Sequence, residues 1–170
     1  DIFKALSANE GITLTVKTKN GTISFNSAET NYEITEDIYD LTMIRSSTYS
    51  NDFLSAMGSY ENYVFSTHHK NELPGFATFN VYTNFGKGQI VNIYAYDASE
   101  DKMIIAAKNV VVGEGGVVAF EMDKGGDFVI TTMDVEDAEA YHSVNRVNNT
   151  PGLTRTLGFV AIGLLTLLIG

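Results

Sequence analysis

Residues 12–26 read ITLTVKTKNGTISFN, and their alternation decides the fold class. Ile12, Leu14 and Val16 are apolar, while Thr13, Thr15 and Lys17 between them are polar. A period of two belongs to a strand with one face in a core and the other in water. Asn20-Gly21 follows, the pair best able to take the positive φ of a two-residue hairpin turn. The chain then returns with Ile23 and Phe25 on the buried face. The segment is expected to be a β-hairpin.

The same grammar extends outward. Residues 1–8 allow a short helix with Ile2, Phe3 and Leu6 on one side. Strands are expected around residues 39–46 and 61–68, with a short helix or turn at 51–57 between them. Leu73-Pro74-Gly75 breaks the chain. Residues 76–82 then put Ala77, Phe79 and Val81 inward, and Thr78, Asn80 and Tyr82 outward. Residues 90–96 put Val91, Ile93 and Ala95 on one face, and Asn92, Tyr94 and Tyr96 on the other. Residues 102–107 and 109–112 form a strand or a bent pair. Val118, Phe120 and Met122 alternate inward, and residues 128–132 close the domain. Strands spaced by about 8 to 12 residues with turn residues between them indicate a sandwich or barrel. The expected fold is all-β over residues 1–133: an antiparallel β-sandwich, immunoglobulin-like in architecture, with short helices. Residues 134–150 are polar and lose the alternation, so they read as a linker.

The chain ends differently. Residues 151–170 read PGLTRTLGFVAIGLLTLLIG, with Arg155 as the single charge. Thr150 suits an N-cap and Pro151 the first helical position. A helix of this length spans about 30 Å, the thickness of a bilayer's hydrocarbon core. A C-terminal hydrophobic helix serving as a membrane anchor is expected, and with it an extracellular, cell-surface location. The competing reading is a buried apolar helix of a larger soluble assembly. Gly152, Thr156, Gly163, Thr166 and Gly170 fall on one side of such a helix. A small-residue stripe of this kind lets a second helix approach closely, which would support a homo-oligomer. Arg146 and Arg155 lie on the domain side, against the usual bias toward basic residues in the cytoplasm.

Charge excludes some partners. The net charge is −10, from 11 Lys and Arg against 21 Asp and Glu. No basic cluster exists to neutralise phosphates, so nucleic acid is not an expected partner. There is no Cys, which removes disulfides, thiolate metal sites and a thiol nucleophile together.

Leu73, Pro74, Gly75 and Ala77 are followed by the aromatic strand 93–96 and by Gly116. Gly126-Asp127-Phe128-Val129-Ile130-Thr131 closes the series. These motifs, with the first hairpin, resemble a β-sandwich module of cell-surface and secreted proteins of Gram-positive anaerobes. The resemblance covers roughly residues 2–132 and implies a non-catalytic unit of the cell surface. Residues 148–158 lack the Leu-Pro-x-Thr-Gly sorting signal of many such proteins, so sortase attachment is not expected.

Candidate site residues are few. Tyr82, Tyr94 and Tyr96, outward on their strands with Asn80 and Asn92, could stack on sugar rings, an alternative reading as a carbohydrate-binding module. His68-His69 is the one adjacent pair of imidazoles, but neighbours on a strand point oppositely and a third ligand is missing. The acidic groups Asp97, Glu100, Asp101 and Asp134, Glu136, Asp137, Glu139 lack the spacing of a calcium loop. No metal and no cofactor are expected. No G-x-S-x-G, H-E-x-x-H, P-loop or dinucleotide motif occurs, so no enzyme is expected. Three roles remain open: a structural or adhesive surface module, a polysaccharide binder, or a subunit of a surface assembly packed through its C-terminal helix.

Overall fold

The computed structural model describes residues 2–30 and 36–142. The anchor expected at 151–170, with Gly152, Thr156, Gly163, Thr166 and Gly170, lies outside the described residues. Among those described, no helix is long and apolar enough to cross a membrane.

The chain is mostly β, arranged as two sheets with few short helices. The strands are β1 (Thr13–Thr18), β2 (Gly21–Asn26), β3 (Met43–Ile44), β4 (Asn62–Thr67), β5 (Glu72–Tyr82), β6 (Ile90–Asp97), β7 (Lys102–Val111), β8 (Val117–Lys124), β9 (Asp127–Thr131) and β10 (Glu139–Ala140). The helices are α1 (Ile2–Ser7) and α2 (Ser50–Met57). A four-stranded sheet has the order β1-β2-β5-β8, and a six-stranded sheet the order β10-β7-β6-β9-β4-β3. All pairings among the described residues are antiparallel except β10 with β7, which is parallel.

Most inward positions read from the alternation form the core, whereas Ile12 is exposed and Leu14, Val16 and Ala95 are half-buried, the first three because β1 is an edge strand. Ile23, Phe25, Ala77, Phe79, Val81, Val118, Phe120 and Met122 are all buried. Phe79 and Phe120 are register partners in the four-stranded sheet and stack with centroids 5.2 Å apart. Phe65 and Phe128 are partners in the six-stranded sheet and stack at 5.0 Å. The two pairs meet across the sheets, Phe79 to Phe128 at 6.1 Å and Phe120 to Phe128 at 5.8 Å. A cluster of four rings thus binds one sheet to the other, giving a sandwich-like arrangement. Phe3 of α1 caps one end of this core, edge-on to Phe25 at 5.0 Å.

The first hairpin forms, with its turn shifted by one residue. Thr18 pairs with Gly21, so Lys19-Asn20 is the two-residue connection and Gly21 already belongs to β2. Glycine stands there because β5 passes close: a Cβ would lie 2.1 Å from the Asn80 carbonyl oxygen. Leu73-Pro74-Gly75 does not interrupt the chain either. It lies inside β5 as an irregularity between the Glu72–Lys124 and Ala77–Met122 pairs. At Gly75 a Cβ would fall 1.9 Å from the Glu29 carbonyl oxygen, so the backbones of β5 and the 29–30 turn touch. The strand expected over 39–46 shrinks to Met43–Ile44.

The largest difference concerns residues 134–142, expected as linker. They fold back onto the six-stranded sheet. Val135 and Ala138, with Met133, pack around Phe53, Met57, Tyr94 and Val129. Glu139 and Ala140 pair with Ile104 and Ile105 of β7, and Tyr141 packs on the main core. Val135, Ala138, Ala140 and Tyr141, scattered among acids, leave no periodic signal. They are enough because the sheet face beneath them is apolar.

Candidate functional site

A polar cleft of about 380 Å³ opens beside β3 and the end of β4. Ser46, Ser47, Thr48, Ser66, Thr67, His68 and Lys70 line it together with Ile44. It brings hydroxyls, an imidazole and an ammonium together, with the Asp127 carboxylate against Ser47 and Lys70. The strands set its floor: β4 ends at Thr67 and β9 starts at Asp127, paired with Ser66.

Asp127 organises one wall. Its carboxylate accepts the Ser47 hydroxyl at 2.6 Å and the Lys70 ammonium at 2.9 Å. The Ser47 oxygen accepts the Tyr49 N–H at 3.0 Å, and Ser50 donates its hydroxyl to the Ser47 carbonyl at 2.7 Å. This network starts α2, since its N-cap residue Tyr49 has no side-chain acceptor to offer. The carboxylate therefore ties the entry of α2 to the first residue of β9. It carries a partly exposed cation beside it, so its buried charge is compensated.

The other hydroxyls are engaged with main chain. Ser66 donates to the Ser46 carbonyl at 2.7 Å. Thr67 donates to the His69 carbonyl at 2.6 Å and accepts the Gly126 N–H at 2.8 Å. Gly125, in the same turn, sits so close that a Cβ would lie 2.0 Å from the His69 carbonyl oxygen. The hydroxyl protons of Ser47, Ser66 and Thr67 are thus directed to carbonyls or to Asp127.

The two histidines diverge, as neighbours on an extended chain must. His68 points outward, with Nδ1 2.9 Å from the Asp40 carboxylate. Asp40 also accepts the Thr42 N–H at 3.0 Å. Its carboxyl is lowered to about 2, chiefly by the His68 hydrogen bond and then by Thr42. His69 points inward and is buried, with Nε2 2.9 Å from the Glu72 carbonyl oxygen and its ring against Tyr39 at 4.9 Å. Neither Ser66 nor Thr67 is hydrogen-bonded to an imidazole; the one hydroxyl of the lining that meets a carboxylate among the described residues is Ser47, on Asp127. Among the described residues no three His, Asp or Glu side chains converge on one point.

The five residues proposed for sugar stacking do not share a surface. Tyr82 and Asn80 lie on β5 in the four-stranded sheet, whereas Asn92, Tyr94 and Tyr96 lie on β6 in the six-stranded one. Tyr82 is 46% exposed, and Asn80 donates to the Thr22 hydroxyl at 3.2 Å. Tyr94 is fully buried beneath α2 and the returning 133–138 segment. Its hydroxyl accepts the Val135 N–H at 2.9 Å, and burial pushes its ionisation upward. Tyr96 packs against Tyr49 at 4.5 Å and bonds to Asp101, which pushes the phenol up to about 12. Asn92 is 7% exposed, giving Nδ2–H to the Met133 carbonyl and accepting the Asn109 N–H, both at 2.9 Å. The expectation of an outward face on β6 fails because that face is covered. A tyrosine platform of these five residues does not exist.

Five members of the acidic groups, Asp97, Glu100, Asp101, Asp134 and Glu139, are also engaged. Asp97 accepts the Ser99 N–H and hydroxyl at 2.9 and 2.6 Å, and is lowered chiefly by the latter. Lys102 bridges Glu100 at 3.1 Å and Glu139 at 2.7 Å, and Lys108 meets Asp134 at 2.5 Å. Sequence reasoning missed Ser47, Lys70 and Asp127 as a unit. Only Asp127 had a signal, as part of the closing Gly-Asp-Phe motif.

No family model, curated protein or solved structure matches this chain at a significant level.

Proposed function

We propose that this chain is a non-catalytic module displayed on the outer face of a membrane, with a structural, adhesive or protein-contact role. The observation that carries the reading is the sequence of residues 151–170: twenty residues with one charge, following a domain whose own apolar side chains already share a core. The two sheets are read as an immunoglobulin-like antiparallel sandwich. Support comes from the four-phenylalanine contact between them and from the antiparallel pairing of all strands but β10.

The non-catalytic part rests on the cleft. The hydroxyls of Ser47, Ser66 and Thr67, the Asp127 carboxylate and the Lys70 ammonium are spent on fastening α2, β4 and the β8–β9 turn to one another. The resemblance to modules of Gram-positive anaerobe surfaces points the same way. Its closing motif has a fold-building duty at several positions: Asp127 on Ser47 and Lys70, Phe128 and Ile130 in the core, and Thr131 on the Glu61 carbonyl at 2.9 Å.

The test is membrane fractionation of cells expressing the full chain and a chain ending at residue 150. The full chain is expected to resist carbonate washing and to yield only to detergent, with its domain open to protease added outside intact cells. The shortened chain is expected in the soluble fraction. A full chain released by carbonate, or a domain protected in intact cells, would overturn the proposal.

A further inference from the structure

Strand β1 is the outer strand of the four-stranded sheet and is bonded to β2 alone among the described residues. Its six residues, TLTVKT, contain no Pro, no Gly and no bulge. Pro and bulges are common devices that keep a free edge from pairing; of the charged side chains that serve the same end, β1 carries Lys17 alone. The Ser27 N–H donates to the Ile12 carbonyl at 2.9 Å. By the alternation of an antiparallel ladder, the main-chain groups of Ile12, Leu14, Val16 and Thr18 face β2. Those of Thr13, Thr15 and Lys17 then face away from the sheet. Leu14 and Val16 touch the core but are only half-buried at this edge.

We propose that β1 pairs antiparallel with β1 of a second copy of this chain, joining two four-stranded sheets edge to edge. The outward groups restrict the register to odd residues facing odd residues. The register centred on Thr15 sets Thr15 opposite its counterpart and Thr13 opposite Lys17. Leu14 then lies opposite Val16 on the core side, covering the half-buried edge of both. Sliding by two residues in one direction sets Lys17 opposite Thr15 and makes the two Lys17 diagonal neighbours, and sliding by four opposes Lys17 to Lys17; both crowd like charges. Sliding the other way takes Lys17 off Thr13 and Leu14 off Val16.

Charge selects a second copy over an unrelated strand. Glu10 precedes β1, while Lys17 and Lys19 stand at and just beyond its far end. All three are exposed, and none forms an ion pair among the described residues. Antiparallel pairing brings the acidic end of one strand to the basic end of the other, with Lys19 opposite Gly11 and beside Glu10. The edge is its own complement. This deepens the protein-contact role proposed above, but its test does not depend on the anchor.

The experiment uses the full chain in detergent micelles. Because the chain has no Cys, Thr15→Cys introduces a single thiol. Mild oxidation is expected to link two copies through Cys at 15. Thr13→Cys is expected not to link, since its counterpart lies about 13 Å along the partner strand. The double variant Thr13→Cys with Lys17→Cys is expected to link again. By sedimentation the wild type is expected to be a dimer. Thr15→Pro, which removes an outward N–H, is expected to give a monomer. Lys17→Glu with Lys19→Glu is expected to weaken the dimer by roughly tenfold or more, and adding Glu10→Lys to restore it. The charge swap keeps the test valid if Thr15→Pro fails to fold. A monomeric wild type, a dimer indifferent to the charge changes, or linkage at 13 as ready as at 15 would each overturn the proposal. Loss of the dimer leaves carbonate resistance unchanged, so the two proposals fail separately.

Discussion

The side-chain oxygen of Asn92 accepts the main-chain N–H of Asn109 at 2.9 Å, at the point where β7 bulges away from β6. Asn109 has φ 56°, a left-handed conformation that Asn tolerates better than most residues. The bulge leaves its N–H without a ladder partner, and Asn92 supplies one. The Nδ2 of the same side chain holds the Met133 carbonyl at 2.9 Å, so one residue serves the bulge and the returning C-terminal segment together.

Asn92→Ala leaves the Asn109 N–H unpaired in a nearly dry place and leaves the Met133 carbonyl only the long bond from the Tyr94 hydroxyl at 3.4 Å. It is expected to lower stability by about 2–3 kcal/mol. Urea denaturation should show a reduced midpoint with an unchanged slope. A midpoint within error of wild type would refute the role given to Asn92.

Phe128 touches Phe65, Phe79 and Phe120 and belongs to both stacked pairs' contact. Phe128→Ala opens a cavity between the sheets and is expected to cost about 3–5 kcal/mol. Phe128→Leu is expected to cost clearly less. Thermal unfolding of the two variants checks the order; equal losses would mean that ring stacking and volume are not what joins the sheets.

Asp127→Ala removes the acceptor of Ser47 and the counter-ion of Lys70. A loss of about 1–3 kcal/mol is expected. Hydrogen exchange should rise first at residues 47–53, where the carboxylate starts α2. Faster exchange spread evenly over both sheets would contradict this local account.

Two tyrosines separate the surface from the interior. Tyr94→Phe strands the Val135 N–H and is expected to cost about 1–2 kcal/mol. Tyr82→Ala, on an exposed strand end, is expected to change stability by no more than about 0.5 kcal/mol. The reverse order in chemical denaturation would show that the face of β6 is open after all.

The Asp40 carboxyl lies at about 2 against an ordinary 3.8. A lowered carboxyl contributes stability that is present above its unfolded value and is lost as pH falls through its folded value. The sensitive window is therefore between about 4 and 2. NMR titration should find Asp40 still ionised at pH 3, and His68→Ala should return it toward 3.8 because the imidazole bond is the first cause of the shift. An unmoved Asp40 in that variant would remove the His68 pairing from the account.

Much of the architecture can be read locally. Ile23, Phe25, Phe79, Val118 and Phe120 announce themselves because a strand buried on one face repeats every second residue, and that repeat is written in adjacent letters. Gly21 was legible as a special position for the wrong reason. The Asn-Gly pair suggests turn geometry, but the glycine is held by a carbonyl of β5, which lies far away in sequence.

Strand β6 shows where such reading stops. Val91 and Ile93 are buried as the alternation requires, yet Asn92 and Tyr94 are buried too. A polar or amphipathic residue at every second place signals an open face only if nothing is packed on it. What covers that face is Phe53 and Met57 of α2 and the segment around Val135.

By itself, the sequence determined where most strands lie, which side of most of them is apolar, and that the final twenty residues are oily. Periodicity and composition are properties of neighbours along the chain. Only the tertiary structure decided which sheet each strand joined, that residues 134–142 return to the domain, that the tyrosines lie on opposite sheets, and that Ser47, Lys70 and Asp127 meet. Those outcomes depend on contacts between segments far apart in the chain, whose free energy arises only when the sheets close on a shared core and leaves no mark in the local pattern.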